Sequence, residues 1–205
     1  MGLRKWWRAR KPNIEVTGEG NVFIGVPPRV RVRCCGTNNR VEIVEPRSNF
    51  QADIVIGTLG NPVHDCVIRF ERDCGCADVR ITLVESGSRL LVGEGARIAE
   101  KTEIWVSDTH PIYDAEGRVL NRGREVIIGN HVWIGTRAVI MKNTYIPDGC
   151  IVAYGAIVAG KKATEPGSVL AGNPAKVVKT GIRWTDEPIE AVLRKLDAQA
   201  PEDGR

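Results

Sequence analysis

Of the three histidines in this 205-residue chain, His64, His110 and His131, one stands where an imidazole could act as a base. His110 follows Asp108 by two positions and directly precedes Pro111, whose ring holds the histidine backbone extended. A carboxylate beside an imidazole fixes its tautomer and leaves the other ring nitrogen to take a proton near neutral pH. The six cysteines, Cys34, Cys35, Cys66, Cys74, Cys76 and Cys150, suggest a metal or disulfide framework less strongly. Cys74-Gly-Cys76 has one intervening residue, where the common zinc clasps have two to four. No apolar export segment follows the basic start, so a reducing cytoplasm and buried thiols are expected, with no metal site.

The element that must position His110 shows itself in a repeat of six. Counting from Val92 reaches Ile98 and Ile104, then Ile128, Ile134, Ile140, Ile146, Val152, Val158, Thr164 and Leu170, and ten of these eleven are aliphatic. Small residues follow four positions later at Ala96, Thr102, Ala138, Thr144, Cys150, Ala156 and Ser168. A helix needs apolar residues every three or four positions and a half-buried strand every two. A period of six instead suits a triangular solenoid with one aliphatic side chain per flat side pointing into the lumen. Cys150 then fills the lumen rather than acting as a nucleophile. Between Ile104 and Ile128 the intermediate slots fall on His110, Glu116 and Arg122, which cannot line an apolar core. The chain must leave the prism there as a loop over 107–125, and a long excursion from a regular solenoid is a place for function.

The rest of the chain divides around this core. Residues 14–91 show only irregular echoes of the repeat and are expected to form degenerate coils, with Asn38 and Asn39 as a ladder at a corner. Residues 92–182 form the regular part, and about eight coils, some 40 Å at the usual strand spacing, are expected in all. Thr185-Asp186-Glu187-Pro188 reads as a helix start. Ile189, Val192, Leu193 and Leu196 then give one apolar face, so 183–205 should hold a short helix packed along the prism, anchored by Trp184. Residues 1–13 are a basic tail. Its five Lys and Arg, with no acid, leave 24 basic and 25 acidic residues in the remainder, which excludes a nucleic-acid footprint on the body. Trp6-Trp7 among those cations suits a weak hold on an anionic membrane surface through residues 1–11, and no apolar run is long enough to cross a bilayer.

Three motifs in order, Ser107-Asp108-Thr109-His110-Pro111, Ile128-Gly129-Asn130-His131-Val132-Trp133-Ile134-Gly135 and Ala171-Gly172-Asn173-Pro174-Ala175-Lys176, resemble the hexapeptide-repeat acetyltransferases. The likeness is to their sugar and polysaccharide O-acetyltransferase branch, and it covers residues 92–184 well. It implies an all-β, left-handed parallel β-helix with one long loop and a short C-terminal helix. It also implies a cytoplasmic homotrimer, near the inner face of the membrane if the tail engages it, with acetyl-CoA held between neighbouring prisms. The expected activity is acetyl transfer from acetyl-CoA to a sugar hydroxyl of a cell-surface polysaccharide or its precursor. His110 maps onto the family's general base, with Asp108 as its orienter and Asp114 and Glu125 as rivals. Coenzyme contacts map onto Thr136, Tyr154, Lys161 or Lys162, Lys176 and Lys179. Trp133, outward-facing, and Arg124, on the loop, are candidate substrate contacts, and His131 is expected to be structural. Acetylation of an amino group, on an amino sugar or a xenobiotic, is the alternative, ahead of a non-catalytic scaffold.

Overall fold

A computed structural model describes residues 12–160 and 165–199. The chain winds into a triangular prism with three parallel sheets as its faces. The first face stacks seven strands: Asn13–Thr17, Val30–Cys35, Ala52–Ile56, Val79–Leu83, Glu103–Trp105, Val139–Met141 and Ile157–Val158. The second stacks six: Val22–Ile24, Arg40–Ile43, Val67–Phe70, Arg89–Val92, Glu125–Ile128 and Thr144–Ile146. The third carries Gly75–Cys76, Arg97–Ile98, Trp133–Ile134, Ile151–Val152 and Val169–Gly172, and closes with Ala175–Lys179, which turns back antiparallel.

The period of six is the prism's own geometry. Every aliphatic slot from Val92 to Leu170 named above is buried, as are the small residues Ala96, Thr102, Ala138, Thr144, Cys150, Ala156 and Ser168. Thr164 lies outside the described residues. Register pairs stand 18 residues apart where the repeat is regular, as in Val139 with Ile157 and Trp133 with Ile151. In the first half the spacing stretches, to 22 from Arg31 to Asp53 and 27 from Asp53 to Arg80. Insertions at the corners therefore hide the count of six there, although the strands of 14–91 stack in register with the rest. Those wider coils also reduce the number of rungs. The first face has seven rather than the expected eight, for a height of about 29 Å at the usual strand spacing.

The corner ladder exists with a different partner. Asn39, fully buried, donates through Nδ2 to Asn21 Oδ1 (3.0 Å) and to Val63 O (3.1 Å), and its Oδ1 accepts from Cys66 N (3.0 Å). Asn38 instead takes the left-handed turn conformation, φ 57°. The six cysteines are free and five are buried; burial pushes the thiols of Cys66 and Cys74 up to about 11, so they serve as small apolar filling.

The helix forms over Ile189–Gln199 but does not pack along the prism: it has no buried residue, and Ile189, Leu193 and Leu196 are exposed. Among the described residues nothing buries its apolar face, and Val192 alone of that face is half-buried. Trp184 does act as the anchor, although for the segment before the helix. No helix among the described residues is long and apolar enough to cross a membrane.

Because each lumen side chain contributes a modest share of a cooperative stack, a single methyl deletion should register without unfolding the chain. Ile140→Val, at a fully buried site, is expected to lower unfolding free energy by about 0.5–1.5 kcal/mol, read from the midpoint of a denaturant titration.

Candidate active site

The loop leaves the first face after Glu103–Trp105 and returns to the second at Glu125–Ile128. Strand partners Glu103 and Val139 are 36 residues apart, twice the regular 18, so the loop is an insertion the length of a whole coil. It folds on itself, with Tyr113 and Val119 bridged antiparallel and Asp114 capping its tip. The Asp114 carboxylate accepts from the backbone N–H of Arg118 (2.8 Å) and Glu116 (3.0 Å) and from the Arg118 guanidinium (2.7 Å). These bonds, the backbone one from Arg118 foremost, hold its carboxyl below the usual carboxylate range.

His110 is exposed on the wall of a cleft of about 530 Å³ between this loop and the Thr58–Asn61 turn. Among the described residues its ring makes no hydrogen bond, so both nitrogens are open to a ligand. Asp108 lies two residues away but does not serve its ring. Its carboxylate accepts from Asn121 Nδ2 (2.7 Å) and from the Lys142 ammonium. Burial alone would raise the Asp108 pKa, but the Lys142 and Asn121 hydrogen bonds outweigh it and hold the carboxyl below its ordinary value. The two rivals are engaged elsewhere, Asp114 with Arg118 and Glu125 with Arg89.

The residues that fix the loop are ones the sequence pattern did not single out. Asn121 donates from Nδ2 to Asp108 and also to His110 O (2.9 Å), while its Oδ1 accepts from Ile112 N (2.7 Å). One amide thus clamps both sides of the histidine's backbone. Lys142 bridges Asp108 to Asn121 O, and Glu85 accepts from Gly123 N (3.0 Å). Gly123 is required by close approach: a Cβ there would stand 2.5 Å from Lys142 Cδ and 2.9 Å from Val106 O. The register held a signal for Lys142, which follows Met141, the partner of Trp105, and so stacks beside the point where the loop departs. Arg124 is exposed at the loop's return, its backbone N–H directed to Asn143 Oδ1 (3.4 Å).

The residues mapped to the coenzyme gather elsewhere. Trp133, Thr136 and Tyr154 line one groove of about 270 Å³ at the corner between the third and first faces. Gly135 forms its floor, where a Cβ would meet Tyr154 N and Val152 O at 2.9 Å. Trp133 faces outward, 43% exposed, and the Tyr154 hydroxyl accepts from Arg137 Nη1 (2.7 Å). Lys176 and Lys179 are exposed on the closing antiparallel strand of the third face. Lys161 and Lys162 lie outside the described residues. The cleft and the groove therefore occupy opposite edges of the first face. One chain does not bring His110 to Thr136 and Tyr154.

Solved structures that share this left-handed parallel β-helix with one short helix are hexapeptide-repeat acetyltransferases. Among solved structures, the polySia-specific acetyltransferase NeuO superposes with a TM-score of 0.68 at 25% identity, over 90% of this chain and 98% of its own. The polysialic acid O-acetyltransferase OatWY gives 0.65 at 23% identity, over 92% and 94%. In sequence, a polysialic acid O-acetyltransferase of Neisseria meningitidis is 33% identical over 134 residues, 63% of this chain. The chain spans 59% of the length of that relative. No family model matches. The resemblance to the polysaccharide O-acetyltransferase branch is borne out by these likenesses.

Proposed function

We propose that the protein is an acetyl-CoA-dependent O-acetyltransferase acting on a hydroxyl of a polysaccharide, working as a homotrimer. The observation that carries this is the division of the site: an exposed histidine, its ring unengaged among the described residues, on one edge of the first face, and a separate slot lined by Trp133, Thr136 and Tyr154 on the other. A threefold assembly would bring the loop edge of one prism against the groove edge of the next. The likeness to polysialic acid O-acetyltransferases supports the acceptor class.

In this mechanism acetyl-CoA supplies an activated acetyl thioester. Thr136 and Tyr154 hold the pantetheine arm, and Lys176 and Lys179, with Lys161 or Lys162, meet the coenzyme phosphates as point charges. Arg124 at the loop's return faces the glycan. His110 takes the proton of the attacking hydroxyl as its oxygen forms the new bond to the acetyl carbon. When the tetrahedral adduct collapses, the carbon–sulfur bond breaks and the same ring returns its proton to the departing thiolate. No acyl-enzyme is needed, in keeping with buried cysteines whose thiols are raised rather than activated. The Asn121–Asp108–Lys142 clamp holds the histidine's backbone, so orientation comes through the loop rather than through a carboxylate on the ring.

The test is release of free thiol from acetyl-CoA with a panel of acceptors, including a sialic acid polymer, neutral polysaccharides and amino sugars, together with the solution mass of the protein. Hydroxyl-dependent turnover by a trimer is expected. Turnover confined to amino acceptors, or a fully active monomer, would be incompatible with this function.

The tail over residues 1–11 lies outside the described residues, and its part in the proposal is a weak hold on an anionic membrane surface. Deleting residues 1–11 is expected to abolish sedimentation with vesicles containing anionic lipid while leaving turnover on a soluble acceptor unchanged. Equal sedimentation of both forms would rule the contact out.

A further inference from the structure

We infer that Trp184, on the segment between the prism and the C-terminal helix, is a positioning residue for the coenzyme groove, acting through Trp133; the inference rests on the transferase function proposed above and deepens it. The indole of Trp184 lies flat on the His131 imidazole, ring centres 3.9 Å apart and planes 2° from parallel. Two hydrogen bonds lock the pair reciprocally: Trp184 Nε1 donates to His131 O (2.9 Å), and His131 Nε2 donates to Trp184 O (3.0 Å). From this clamp Trp184 reaches Trp133, ring centres 5.9 Å apart and planes tilted by 47°, and Trp133 walls the groove with Thr136 and Tyr154. Such aromatic contacts fix the orientation of a side chain that would otherwise be free to turn.

The backbone of His131 shows that this contact is maintained against a local preference. His131 sits at the corner between the second and third faces, φ 50°, in the left-handed region. On the rungs to either side the same corner position holds Gly95 (φ 71°), Gly149 (φ 68°) and Gly167 (φ 65°); the register of Arg97, Trp133, Ile151 and Val169 places all four in one column. Glycine occupies that conformation freely, and a residue with a β-carbon does not. Two rungs of the column depart from glycine: Asp73 (φ 57°), whose carboxylate pairs with Arg47 and Arg97, and His131, whose ring meets Trp184.

The segment is tethered on both sides of the indole. Ile182 N donates to Gly167 O (2.9 Å), and Asp186 accepts from Arg97 and Arg47, each at 2.7 Å. The C-terminal segment is thereby strapped across the third face, with the Trp184 ring delivered to the groove's outer wall.

The test compares Trp184→Ala, Trp184→Phe and His131→Gly with the parent chain, measuring coenzyme A binding by calorimetry and the KM and kcat for acetyl-CoA. His131→Gly restores the corner's preferred residue, so it should fold and melt no lower than the parent. Trp184→Ala and His131→Gly are each expected to raise the KM for acetyl-CoA and weaken coenzyme A binding by about tenfold, with kcat at saturation held. Trp184→Phe, which keeps a ring on the imidazole, should recover most of the loss. Unchanged coenzyme binding in both variants overturns the inference, as does a fall in kcat alone or a rise confined to the acceptor's KM. A parent chain that binds no coenzyme A refutes the transferase function itself, which separates the two failures.

Discussion

His110→Ala is expected to cut turnover by about 10²–10⁴-fold while leaving coenzyme A affinity and the melting temperature where they are. The size follows from the chemistry: a sugar hydroxyl is a poor nucleophile near neutral pH, and no other imidazole lines the cleft. Selectivity follows from the geometry, because the ring is exposed and makes no hydrogen bond among the described residues, so truncating it removes no packing or capping. Coenzyme affinity should hold because Thr136 and Tyr154 lie on the opposite edge of the first face. Thiol-release assays alongside calorimetric titration would separate the two quantities. Near-parental turnover in the variant would remove His110 from the chemistry altogether.

How much of this could be read in the sequence depends on what each residue answers to. Ile98, Ile134 and Val152 answer to a lumen that repeats every six residues outside the loop and the corner insertions, so their burial and the strands around them follow from spacing alone. Thr136 and Tyr154, 18 positions apart, meet in one groove for the same reason, since successive coils place equivalent positions in a column, and Trp133 joins them from the adjoining strand. His131 gave only half its story: the column of glycines marks its corner as left-handed, but nothing local announces Trp184, 53 positions away along the chain. Asp108 misled because proximity in sequence is not contact in a loop, and its carboxylate turned to Lys142 and Asn121 instead of the neighbouring ring. Asn121 lies where the period of six is suspended, so no pattern constrains it. The Ile189, Leu193 and Leu196 face announces that a helix seeks an apolar partner, yet amphipathicity does not say which surface supplies it. The coil count fell from eight to seven because corner insertions, such as the Thr58–Asn61 turn, consume residues without adding rungs.

The loop clamp yields the second large effect. Lys142 and Asp108 are mostly shielded from solvent, with side chains 14% and 29% exposed, and Lys142 also reaches Asn121 O. Lys142→Met keeps the aliphatic length that packs against Gly123 but removes the charge, leaving the Asp108 carboxylate half buried with one partner fewer. The loop backbone at His110 then loses one of its two supports, and a displacement of about 1 Å at a base can cost about 10²-fold in rate. A fall of that order in kcat is expected, with the lumen intact and the melting temperature lowered by the loss of the contact. Asp108 adds a pH signature whose sign is fixed by its lowered pKa. A carboxylate held below its unfolded value stabilises the native state fully above that value, about 3.9, and the contribution disappears as pH falls through the lowered one. The parent chain should therefore lose stability below about pH 4 more steeply than Asp108→Asn does. Lys142→Met should flatten the same acid limb, because the lysine is the first of the two hydrogen-bonding partners that lower the carboxyl. Parallel acid limbs in all three proteins, read by denaturant titration, would mean that the Lys142–Asp108 contact does not hold the loop.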